Sequence, residues 1–150
     1  PFNAFLILQG IETLSLRMER HCSNAMAVAN YLKSHSKVTS VSFAGLPDDQ
    51  YHGLAQKYCG GVPASLLTFE VEGGFDAAVR FYDALGLFKR LVNIGDAKSL
   101  ACHPASTTHR QLTEEEQANA GVTQGMVRLC VGIEHEEDIL ADLEQALNQA

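Results

Sequence analysis

The sequence predicts an α/β (α+β) fold: a mostly antiparallel sheet covered on one face by helices and preceded by a long N-terminal helix. Three observations carry this. Alternating segments such as Leu67, Phe69 and Val71 against Thr68 and Glu70 interleave with segments of helical spacing. Strands that are half polar suit an antiparallel sheet with one buried face. Near the start, Ala4, Ile11, Met18, Ala25 and Leu32 recur every seven residues, with Leu8, Cys22 and Ala29 in the row between. At 150 residues, 46% hydrophobic and 7% aromatic, the chain can fill one core and is read as globular.

In order, Pro1 to about Ser34 reads as a single helix, with proline suited to the first turn and Gly10 as its weak point and place to bend. Val38 to Ala44 alternates and ends in Gly45-Leu46-Pro47, the pattern of a strand and turn. Tyr51 to Tyr58 is a short helix stopped by Gly60-Gly61, and Leu67 to Val71 is a strand closed by Gly73-Gly74. Phe75, Ala78, Val79, Tyr82 and Leu85 return to helical spacing, and Phe88 to Ile94 reads as a further strand. Residues 95–112 are loop-rich, with an extended piece at Ser99 to Cys102. Thr113 with Glu116 matches a capping box, so a short helix runs to about Ala120 with Gly121 as its stop. Val127, Leu129, Val131 and Ile133 line one face of the next strand, and Arg128 and Cys130 the other. The last helix opens with Glu136, Glu137 and Asp138, favourable against its dipole, and buries Ile139, Leu140, Leu143, Ala146 and Leu147.

Composition excludes several functions. Net charge is −7, and half of the 18 acidic residues lie at or beyond Glu114, which opposes a nucleic-acid role that needs clustered cations. No apolar run approaches the ~20 residues of a membrane span. No signal-peptide pattern opens the chain, and a start at Pro1-Phe2-Asn3 reads as cut from something longer. Cys22, Cys59, Cys102 and Cys130 stand far apart without CxxC spacing, so neither a metal site nor a disulfide framework is expected. Four free thiols suit a reducing cytosol, hence a cytoplasmic location.

Arg128 is the leading candidate for chemistry. A guanidinium fixed on a strand pairs bidentately with a carboxylate, although an arginine in such a place is more often solvated or ion-paired. Ser99, after Gly95-Asp96, reads from its surroundings as a turn or cap residue, and no histidine or acid at a usable spacing makes it a nucleophile. Lys98 beside it reads as an exposed lysine; Schiff-base chemistry requires an unprotonated amine held by burial. His103 and His109 fix their loop through hydrogen bonds and are assigned no catalytic role. Asp96 pins the same loop, Gly132 reflects close backbone approach, and Arg17 and Arg20 form surface or interdomain pairs. Gly60-Gly61 and Gly73-Gly74 are turn glycines without a phosphate-loop pattern.

Three stretches, PFNAF at the start, GDAKSLACHPASTTH from Gly95 to His109 and MVRLCVGIE from Met126 to Glu134, resemble the Cys/Met-metabolism pyridoxal-phosphate (PLP) enzymes. The resemblance is to their C-terminal domain, covers essentially all 150 residues and is strongest to the O-acetylhomoserine sulfhydrylase branch. It departs at Cys130, where the family often has serine, and at Thr107, where it often has methionine. The resemblance implies an interdomain helix over residues 1–35 and a substrate-binding domain over 36–150, with the large PLP domain and the Schiff-base lysine upstream. It implies that Arg128 grips the substrate α-carboxylate, that Ser99 and the Leu100 backbone amide support it, and that Lys98 lies beside them. No catalytic, cofactor-binding or metal-binding residue is then expected in this chain, which would be inactive alone. The implied reaction is γ-replacement on O-acetylhomoserine, with sulfide or a thiol entering, acetate leaving, and PLP as electron sink. A homotetramer is the implied assembly, an amino acid the implied partner, and neither nucleic acid nor membrane is involved. Two alternatives stand beside it: a methionine γ-lyase or cystathionine enzyme of the same family, and a free-standing amino-acid-binding regulatory module.

Overall fold

The computed structural model describes residues 1–61 and 63–150. Five strands form one sheet in the order β1-β2-β5-β4-β3, where β1 is Val38–Ser42, β2 Leu66–Val71, β3 Lys89–Arg90, β4 Leu100–Cys102 and β5 Met126–Cys130. The pairings β1–β2, β2–β5 and β4–β5 are antiparallel, and only β3–β4 is parallel. The mostly antiparallel sheet is as expected. The strand expected over Phe88 to Ile94 shrinks to Lys89–Arg90, because Phe88 turns into the core while Leu91, Val92 and Ile94 face outward.

Register sorts the side chains. Leu67 opposes Leu129, Phe69 opposes Val127 and Ala101 opposes Leu129 on the helix-covered face. Against that face pack α2 (Leu14–Ser34) through Ala25, Val28, Ala29 and Leu32, α4 (Gly74–Ala84) through Ala77, Ala78 and Phe81, and α6 (Glu136–Leu147) through Ile139, Leu143, Ala146 and Leu147. Burying each leucine or phenylalanine there contributes about 1.5–3 kcal/mol. The row expected for α4 is rotated. Phe75 is exposed, and paired small Ala77 and Ala78 let Phe81 reach Phe69 edge-on at 5.4 Å.

The N-terminal segment is two helices, α1 (Phe2–Glu12) and α2, separated at Thr13. The break falls at Thr13 and not at Gly10. Thr13 adopts φ −106° and ψ 7°, and Arg17 Nη2 donates to the Gly10 carbonyl at 2.5 Å. Arg17 therefore satisfies a carbonyl at the end of α1 instead of forming the surface or interdomain ion pair expected of it. None of α1 is buried, whereas α2 buries seven residues from His21 onward.

The connections are built by side-chain caps. Helix α3 (His52–Cys59) ends at Gly60, whose φ of +62° suits glycine. Helix α5 (Glu114–Asn119) starts with the expected capping box: Glu116 N donates to Thr113 Oγ1, and Thr113 N donates to Glu116 Oε2. That donor and the Thr113 hydroxyl hold the Glu116 carboxyl below its usual range. Asp142, on α6, accepts the amides of Gly86, Leu87 and Phe88 at 2.9–3.1 Å and so fixes the turn between α4 and β3. Among the described residues no helix is long and apolar enough to cross a membrane.

Candidate functional site: an unpaired arginine and a sewn loop

The sheet face away from the helices carries the second set of residues. Arg128 sits there opposite Thr68 of β2 and Cys102 of β4, while Cys130 sits opposite Leu66 and Leu100. Alternation along β5 forces this: Val127 and Leu129 are fully buried beneath the helices, so Arg128 must emerge on the other side. It is half-buried and belongs to none of the ion pairs Lys33–Asp48, His35–Glu144 and Arg90–Asp83. Its side chain has no hydrogen-bond or ion-pair partner among the described residues. A partly desolvated guanidinium without an anion is set up to receive one.

That face is not open throughout. Leu100, Cys102 and Cys130 are each 4% exposed or less, because flanking loops fold over this end of the sheet. Cys102 Sγ lies 3.3 Å from Thr107 Oγ1, and Cys130 Sγ lies 3.6 Å from Ser65 Oγ. What remains beside Arg128 is a shallow crevice bordered by Leu91, Asn93, Leu100, Cys102 and Cys130, too tight to enclose a water molecule. Sites that enclose a whole small ligand are typically about 300–1,000 Å³. This crevice encloses no ligand by itself, so a group that pairs with Arg128 lies at its mouth.

Leu100 and Arg128 thus share a crevice, but the Ser99 side chain does not enter it. Ser99 is fully buried; its hydroxyl donates to Glu134 Oε2 at 2.9 Å and accepts from the Gly132 amide at 2.9 Å. Its own amide donates to Glu134 Oε1 at 2.6 Å. The hydroxyl has a single proton, already given to Glu134, so the expectation that it supports Arg128 directly meets a geometric obstacle. Lys98 is exposed, and only its amide is engaged, by Asp96 Oδ1 at 2.9 Å. Asp96 pins the loop as read from the sequence.

His103 is fully buried and bridges its loop. Nε2 donates to the Gln124 carbonyl at 2.9 Å, which leaves Nδ1 to accept from Ser106 Oγ at 2.8 Å. His109 Nδ1 meets Thr108 Oγ1 at 2.8 Å. His103 holds the loop, as expected, whereas the His109 ring reaches only its chain neighbour. Sequence reasoning missed Gln117, whose amide donates to the Ala105 and His109 carbonyls and so fastens the same loop to α5. It also missed His21 and Asn24. His21 Nδ1 donates to the Val131 carbonyl at 2.7 Å, and Asn24 Nδ2 donates to the carbonyls of Gly132 and Glu134. Their spacing of i and i+3 on α2 was the available signal, since it puts both on one helix face.

The chain belongs to the Cys/Met metabolism PLP-dependent enzyme family, whose model matches residues 1–148. It is 56% identical over 148 residues to the O-acetyl-L-homoserine sulfhydrylase of Leptospira meyeri, covering 98% of this chain and 34% of that protein. It is 46% identical over 147 residues to the L-methionine gamma-lyase of Pseudomonas putida, covering 98% of this chain and 37% of that one. In structure it is similar, with a TM-score of 0.90 and 46% identity, to a Campylobacter jejuni protein assigned as an O-acetylhomoserine (thiol)-lyase. That protein was solved with N'-pyridoxyl-lysine-5'-monophosphate, and the match covers 99% of this chain and 35% of it. The chain therefore spans about a third of the length of the relatives it matches.

The family is PLP-dependent, and the described residues offer no buried amine for a Schiff base. Schiff-base chemistry needs a buried amine, and none of Lys33, Lys37, Lys57, Lys89 and Lys98 is buried. Lys33 pairs with Asp48, and Lys37 donates to the Leu147 and Ala150 carbonyls. The Arg128 guanidinium on this face suits a carboxylate instead.

Proposed function

We propose that this chain is the substrate-binding part of a PLP-dependent enzyme that exchanges the γ-acetoxy group of O-acetylhomoserine for sulfide or a small thiol. Homocysteine or methionine and acetate are the products. The observation that supports this reading is the half-buried Arg128 guanidinium, unpaired among the described residues, on the sheet face away from the helices. Arg128 receives the α-carboxylate of the amino acid, with the Leu100 backbone beside it, Ser99 behind Leu100 and Lys98 at the periphery. Holding that carboxylate fixes the amino acid as one rigid body, so its reacting carbons present to groups outside this chain. PLP supplies the electron sink from the part of the enzyme that lies outside these 150 residues. A cytoplasmic homo-oligomer is part of the same proposal.

The test is Arg128→Ala in the full-length polypeptide. Losing two charge-assisted hydrogen bonds of about 1.5 kcal/mol each raises KM for O-acetylhomoserine roughly a hundredfold. Cofactor absorbance stays unchanged. A variant with normal KM removes Arg128 from the role.

The same crevice would serve a methionine γ-lyase. Higher identity to the sulfhydrylases than to the lyases favours replacement over elimination. Product analysis with and without sulfide separates the two, because only a replacement enzyme forms homocysteine in a sulfide-dependent manner. A free-standing sensor must enclose its ligand within one domain, and the shallow crevice beside Arg128 encloses none.

A further inference from the structure

The structure assigns Glu134 as the positioning residue of the carboxylate site, acting through Ser99 and not on the substrate. This rests on the reading of Arg128 given above. Strand β5 does not simply stop at Cys130. Its continuation, Val131 to Glu134, is held from three directions. From α2, His21 takes the Val131 carbonyl and Asn24 the carbonyls of Gly132 and Glu134. From the segment before β2, the Ser65 carbonyl accepts the Val131 amide. From the loop before β4, the Ala97 carbonyl accepts the Ile133 amide, and Ser99 Oγ accepts the Gly132 amide.

Glu134 closes this arrangement. One carboxylate oxygen takes the Ser99 amide at 2.6 Å and the other takes the Ser99 hydroxyl at 2.9 Å. The Ser99 carbonyl in turn accepts the Lys89 amide at 2.9 Å, which begins the β3–β4 pairing. The approach is so close that a Cβ on Gly132 would come within 2.5 Å of the Ala97 carbonyl oxygen and the Ser99 nitrogen, and would also strike the Glu134 carboxylate. Residue 132 must therefore be glycine for the loop to close.

The consequence is directional. Ser99 is the last residue before Leu100, and Leu100 opposes Cys130, two residues along β5 from Arg128. Whatever fixes Ser99 fixes the entry of β4 and the crevice wall against the guanidinium. A carboxylate that accepts both donors of one residue fixes its orientation as well as its position. The serine thus serves the site through an internal anion, and the substrate's anion is left to Arg128 and the Leu100 backbone.

The test uses the full-length enzyme with Glu134→Ala, Glu134→Gln, Ser99→Ala, the Ser99→Ala/Glu134→Ala double variant and Arg128→Ala. Kinetics with O-acetyl-L-homoserine and hydrogen exchange of the 97–102 segment are read together. Glu134→Ala is expected to raise KM on the order of ten- to a hundredfold, the size of a displaced positioning group, with a smaller fall in kcat. Exchange in 97–102 accelerates at least about tenfold as the Ser99 donors lose their acceptor. Glu134→Gln, which keeps one acceptor oxygen, lies between wild type and alanine, and serves if the alanine variant does not fold. Because the two residues act as a unit, the double variant is no worse than the poorer single one. Glu134 variants with wild-type KM, or single effects that multiply in the double variant, overturn the assignment. Arg128→Ala raises KM without changing exchange in 97–102. If it leaves KM unchanged, the carboxylate reading fails, and the exchange arm still decides whether Glu134 holds Ser99.

Discussion

Helices α1 and α2 are written in the same heptad spacing, yet one is bare and the other is core. The row Ala4, Leu8 and Ile11 faces solvent, while Cys22, Ala25, Val28, Ala29 and Leu32 are buried under the sheet. Periodicity specifies a helix and the direction of its apolar stripe. It does not specify that anything lies against that stripe. From His21 onward the chain meets β2 and α6; before Thr13 it meets only the start of α2 among the described residues.

The contrast is open to measurement in the 150-residue chain. The largest effect is expected from Leu32→Ala, which empties a fully enclosed site and costs about 2–5 kcal/mol in denaturant unfolding. A loss below about 1 kcal/mol would mean that α2 is packed no better than α1. An intermediate effect is expected where a helix is held by its cap. Thr113→Ala removes the capping box of the six-residue α5 and costs about 1 kcal/mol. The Glu116 share of that box has a sign. Its carboxyl is held below the usual range by the Thr113 amide and hydroxyl, so its contribution is present above the ordinary glutamate pKa. It fades as pH falls through the depressed value. The Thr113→Ala penalty should therefore shrink in acid, as urea melts at neutral pH and at about pH 3 would reveal. The smallest effect belongs to Leu8→Ala in α1. Leu8 is 61% exposed, and the midpoint should move by less than about 0.5 kcal/mol. A loss comparable to Leu32→Ala would show that α1 has found a partner, and the contrast with α2 would collapse.

The same contrast marks what could be read from residues alone. Strand β2 and the Thr113–Glu116 box follow local rules and stand where their patterns put them, and β5 does so up to Cys130, short of the expected Ile133. Arg128 was legible for the same reason: its neighbours Val127 and Leu129 had to face the helices. The break at Thr13 was not, because it depends on Arg17 reaching a carbonyl seven residues back. Nor was the Ser99 environment. Glu134 lies 35 residues away in sequence, and no spacing rule connects a serine before one strand to an acid after another. Asp142, 54 to 56 residues from the amides it accepts, is another case. Pairings made only when the sheet closes leave no periodic trace, and the carboxylate site is built around one of them.

The two margins of the sheet carry a consequence for how the domain behaves in company. An unpaired strand edge is a template on which other chains can add. Here β3 offers only two residues, and β1 is interrupted by a register shift between Val38 and Ser40. Neither margin gives a neighbour an even run of free amides and carbonyls, so the fold resists growing into stacked ribbons.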